Sequence, residues 1–166
     1  MKLVIITSEP LNPEHIINST FELSQAKLLK EISEVSIISV SPHDSLSAAV
    51  KSLIRKAVQL KFKLRKGAAL KRVLDILSVL VFKRNRVNTY VIEGIEVYEG
   101  KNFRYASSSD FKQNMNSWVE SGYSAYKIFE TRHGRTGVVH AHGRFLNAGV
   151  LALKLEEREK LEFVYT

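Results

Sequence analysis

The chain contains no cysteine. Disulfides, thiolate nucleophiles and thiolate metal ligands are therefore excluded. No apolar run approaches the length that crosses a bilayer, and the opening KLVIITS is too short and too strand-like for a secretory leader. A cytoplasmic protein is the expectation. Internal repeats and low-complexity linkers are also missing, so 166 residues with 45% apolar and 25% charged content suit one domain with a sizeable core. Acid is scarce in one place. Between Leu46 and Asn88 there are twelve Lys/Arg and a single acid, Asp75, a local charge of +11 within a chain of net +8. The rest of the chain carries −3, so the basicity belongs to one segment and points to an anionic partner met locally.

What is present reads as alternating strands and helices. Lys2–Ser8 is a β-branched run of the kind buried in parallel sheets, and a loop, SEPLNPEH, follows it. Asn12 as N-cap, with Pro13 at the first helical position, predicts a helix reaching about Glu31, with Phe21, Leu23, Leu28 and Leu29 on its apolar side. Glu34–Ser41 is a second strand, so the chain opens β-α-β. From Leu46 the pattern is helical for nearly forty residues, broken at Gly67. Thr89–Tyr105 predicts strand, Glu93–Gly94 turn, strand. A helix from Ser107–Asp110 to about Arg132, with Trp118, Tyr126, Ile128 and Phe129 as core, leads to strand Val138–Ala141, helix Arg144–Lys160 and a last strand, Leu161–Thr166. Such a pattern predicts an α/β fold, a Rossmann-like parallel sheet with helices on both faces, plus a basic helical insertion.

Chemistry concentrates in Val138–Asn147, VVHAHGRFLN. His140 and His142 are two residues apart on a strand, so both leave it on one face. Gly143 permits a sharp turn with φ > 0 before the next helix. Residues at the carboxyl end of such a strand line the ligand crevice of an open α/β sheet. Two readings stand for the histidines: one or both line that crevice, or they are buried and satisfied by backbone carbonyls. His142 lies nearer the strand end. A zinc site needs at least one further protein ligand, and no such spacing exists, so no metal is expected. Arg144 suits bidentate contact with a phosphate or anionic acceptor, or is a solvated residue of the first helical turn.

Three stretches, KLVIITSEP, TYVIEGIEVYEG and above all VVHAHGRFLNAGVLALKL followed by FVYT, resemble one family. They are similar to the N-terminal half of retaining glycosyltransferases of the GT-B fold, the "group 1" (family 4-like) enzymes that act on nucleotide-sugars. Members consist of two Rossmann-like domains facing a cleft, the first recognising the acceptor and the second holding most of the donor. The resemblance implies transfer of a sugar from a nucleotide-diphosphate sugar, a co-substrate, with no tightly bound cofactor. His140 and His142 would sit near the reacting centre, and Glu9, His15, Gly143 and Arg144 would meet acceptor or sugar. Two departures stand out: the first loop, LNPEHIIN, lacks the family's paired glycines, and the histidine-containing loop that commonly follows a segment like FVYT is not among these residues, nor is the half with paired glutamates. The expectation is thus an acceptor-binding half that needs a C-terminal domain or partner subunit and is inactive alone.

The basic segment has its own readings. Lys51, Arg55, Gln59, Lys63 and Lys66 fall on one helix face. A solvated face is the default for a charge run. Surplus apolar positions beside it also fit a helix lying on anionic lipid, with Lys51, Arg55, Lys63 and Lys66 in contact and the acceptor lipid-linked. Aromatic interleaving is limited to Phe62 and Phe82, so nucleic acid is not expected. The alternative to an enzyme is a non-enzymatic basic α/β module docking on membrane or nucleic acid.

Overall fold

Lys2–Thr7 (β1) is apolar on both faces, and a strand of that kind needs cover on both sides. In the computed structural model it lies inside a mostly parallel sheet, with Val4, Ile5 and Ile6 fully buried. The structure describes residues 2–11, 20–43, 87–103, 111–143 and 146–166. Their elements are β1, α1 (Thr20–Lys30), β2 (Glu34–His43), β3 (Val87–Ile92), β4 (Ile95–Phe103), α2 (Phe111–His133), β5 (Val138–His142), α3 (Asn147–Glu159) and β6 (Glu162–Tyr165). The predicted N-cap Asn12 and the helical part of the basic segment lie outside the described residues, while Val87 and Asn88, read with that segment, begin β3.

The strand order is β3-β4-β2-β1-β5-β6, and every neighbouring pair is parallel except β3 with β4. The fold is α/β and Rossmann-like. The antiparallel edge follows from the turn. Ile92 pairs with Ile95, leaving two connecting residues, and both Glu93 (φ 50°) and Gly94 (φ 79°) take the left-handed backbone that such a hairpin needs. From β4 the chain returns through α2 to β5, on the opposite side of β1 from β2. The order therefore reverses between β1 and β5, and their carboxyl ends open side by side.

Alternation along the strands supplies two cores. Leu3, Ile5, Val35, Ile37, Ile95 and Val97 pack beneath Leu23 and Ala26 of α1. On the other face Val4, Ile6, Ile38, Val40, Tyr98, Val139 and Ala141 meet α2 and α3 through Trp118, Tyr126, Phe129, Leu151 and Leu155. Helices thus cover both faces. Three expected core positions are corrected: Phe21, Leu28 and Ile128 are exposed. On α1 the stripe holding Leu23 and Ala26 packs on the apolar core of the sheet, and Leu28 is left facing outward. Among the described residues, no helix is long and apolar enough to cross a membrane.

At the amino edge of the sheet His133 closes α2. Its Nδ1 lies 3.1 Å from Glu34 Oε1 and its Nε2 2.8 Å from Glu96 Oε2, and the ring stacks on Phe129. This cluster ties the helix end to the first residues of β2 and β4, at the end of the sheet away from the β1–β5 opening.

Candidate functional site

The opening between β1 and β5 is built from backbone first. Thr7 pairs with His142 in the ladder, and the next residue, Ser8, donates both its N–H (3.1 Å) and its hydroxyl (3.3 Å) to the His142 carbonyl. That closeness requires a glycine after His142. Gly143 has φ 142°, a region open in practice only to glycine, and a Cβ there would sit 2.2 Å from Ser8 Oγ. The expected positive φ at Gly143 is present.

The first residues of the β1–α1 loop are also tied down. Thr7 Oγ1 donates to the Glu9 carbonyl at 2.8 Å, the Leu11 N–H to Ser39 Oγ at 3.0 Å, and the Tyr90 hydroxyl to the Leu11 carbonyl at 2.9 Å. Burial, with the Glu99 carboxylate as a smaller cause, pushes the Tyr90 hydroxyl well above the ordinary tyrosine range, so it stays a donor. Along the same edge Lys101 Nζ lies 2.6 Å from the buried Glu99 carboxylate and donates to Ser41 Oγ at 3.0 Å. Register places Ser39 beside Glu99 and Ser41 beside Lys101. On β1, β2, β4 and β5 the α1 face turns from apolar to polar at the carboxyl ends.

His140 and His142 share that face, their ring centroids 6.0 Å apart at 78°. His140 Nε2 is 2.9 Å from Thr166 Oγ1. Burial, and secondarily the neighbouring His142, hold the His140 ring below the usual imidazole range. It therefore stays neutral at a pH where an ordinary histidine begins to protonate. His142 is gripped by the first described turn of α1. The Phe21 ring lies 4.9 Å away by centroid, tilted 32°, and Glu22 Oε1 lies 3.5 Å from Nδ1. At that distance the pair lacks the alignment of a hydrogen bond, and among the described residues the buried Nδ1 has no hydrogen-bond partner.

Of the residues expected to form a site, His140, His142 and Gly143 come together here, and Glu9 sits half-buried on the adjoining loop. His15, Arg144, Lys51, Arg55, Lys63 and Lys66 lie outside the described residues. Sequence reasoning missed Glu22 and Thr166, and read Phe21 as core. Nothing local marks Glu22, an acid one position from a core leucine, because its partner lies 120 positions further along the chain. Ser39 and Ser41, alternating with apolar neighbours at a strand end, carried a legible signal. Among the described residues, no group of three or more His, Cys, Asp or Glu is placed to hold a metal ion.

Fold and site together define a Rossmann-like α/β domain whose sheet ends, at its topological switch point, in a polar, histidine-bearing edge. No protein-family model matches the chain, and no curated protein or solved structure does.

Proposed function

We propose that this domain is the acceptor-binding half of a glycosyltransferase of the GT-B type, moving a sugar from a nucleotide-diphosphate sugar to an acceptor. The observation that carries the reading is the pair His140 and His142, on one face at the carboxyl end of β5 and directly beside the loop that leaves β1. Imidazoles there can hydrogen-bond the hydroxyls of an acceptor or of the sugar in transit. Catalysis in such a reaction rests on holding the two substrates in line and on stabilising an oxocarbenium-like sugar and a departing diphosphate. This half supplies positioning; the diphosphate would be held chiefly by a second, donor-binding half. Lys51, Arg55, Lys63 and Lys66 would bring the domain to an anionic membrane face, where a lipid-linked acceptor is met.

The test is sugar transfer by this domain together with its donor-binding half, from a panel of labelled nucleotide-sugars to a lipid extract. We expect His142→Ala to lower turnover about 10²-fold or more while changing the unfolding midpoint little. Unchanged turnover contradicts the reading.

A further inference from the structure

His142 has a neighbour that gives its ring a direction. Nδ1 is buried, faces the Glu22 carboxylate at 3.5 Å and has no hydrogen-bond partner among the described residues. Glu22 is itself buried, on a helix that the sheet holds through Leu23 and Ala26, so the carboxylate cannot swing far. Phe21 packs against the ring from the same turn, and His140 approaches it edge-on from β5. About a fifth of the His142 side chain remains exposed, and with Nδ1 buried that exposure belongs to its other atoms.

An ionised carboxylate only accepts hydrogen bonds. A neutral imidazole beside it is lowest in energy with its single proton on the nitrogen that faces the carboxylate. We propose that Glu22 is the positioning residue of His142: it holds the proton on Nδ1, orients the ring, and leaves Nε2 as a bare acceptor on the crevice side. Its catalytic consequence rests on the glycosyl-transfer reading, in which Nε2 can receive a hydroxyl hydrogen but offers none to a phosphate. The proton's position does not depend on that reading.

The experiment is a long-range ¹H–¹⁵N correlation of the histidine rings in the uniformly labelled full chain, at pH about 8, where ordinary imidazoles are neutral. His142→Ala assigns the signals. In the wild type we expect His142 as the Nδ1–H form, with Nε2 at the shift of an unprotonated nitrogen. Glu22→Ala should move the ring to predominantly Nε2–H, while Glu22→Gln, whose amide oxygen can take the same proton, should keep more of the Nδ1–H form. A wild-type ring that is Nε2–H overturns the proposal, and so does a ring that stays Nδ1–H in Glu22→Ala. If Glu22→Ala fails to fold, the wild-type form and Glu22→Gln still decide. The outcome is read without substrate, so it separates from the fate of the function. Loss of turnover in His142→Ala with the wrong proton position refutes Glu22's role alone. The right proton position with unchanged turnover refutes the transfer reading alone.

Discussion

Gly143→Ala should destabilise the protein by about 3 kcal/mol, close to ten degrees in melting temperature for a domain of this size. Two effects add. At φ 142° any side chain is strained, at a cost of about 1–3 kcal/mol. The new Cβ would also stand 2.2 Å from Ser8 Oγ and 2.4 Å from Ser8 Cβ. Ser8 cannot step aside cheaply, because it is buried and its backbone N–H is bonded to the His142 carbonyl. Relief must come from spreading the β1 and β5 ends, so the crevice should be damaged along with stability. Chemical denaturation reads the first effect, and the ring signals of His140 and His142 read the second. A loss under about 1 kcal/mol would show that the loop junction is looser than these distances imply.

Gly100→Ala should cost about as much, for a reason at the other layer of the fold. A Cβ on Gly100 would lie 2.4 Å from the Ser121 carbonyl oxygen and 2.7 Å from its carbon, both backbone atoms of α2. Ser121 Oγ bonds the Lys101 carbonyl at 3.1 Å, so helix and strand are joined at the same point. The helix must be pushed away as a body, and overpacking of this kind costs about 1–3 kcal/mol, occasionally more. Gly122 provides the comparison. Its Cβ would meet Leu151 Cδ2 at 2.3 Å, the end of a side chain that can rotate, and alanine gains about 1 kcal/mol over glycine inside a helix. Gly122→Ala should therefore cost clearly less than Gly100→Ala in the same denaturation series. The reverse order would mean that α2 is held by α3 more rigidly than by the sheet.

How much of this was legible beforehand depends on the range of the interaction. β1, β2 and β5 were readable because KLVIIT, EVSIISV and VVHAH are β-branched or alternating runs, and both strand type and hairpin turn are local properties. The placement of His140 and His142 on one face, and the positive φ of Gly143, followed from period and residue type alone. Phe21, Leu28 and Ile128 were misread because helical periodicity says that a helix has an apolar side without saying how wide a strip the sheet will cover. Glu22 could not be found at all. Its meaning depends on α1 lying over the carboxyl end of β5, a tertiary relation with no trace in nearby residues. Likewise Tyr90 reads as an ordinary strand tyrosine until the fold brings its hydroxyl to the Leu11 carbonyl.

On the glycosyl-transfer reading, the carboxyl ends of β1 and β5 are where this protein handles its substrate. Turnover of labelled nucleotide-sugar by this domain paired with a donor-binding half, compared between wild type and His142→Ala at matched stability, tests it most directly. A fall of about 10²-fold or more is the predicted result. Transfer that proceeds at the wild-type rate, or a wild-type protein that binds anionic vesicles yet transfers no sugar from any donor, would contradict it and leave a basic docking module in its place.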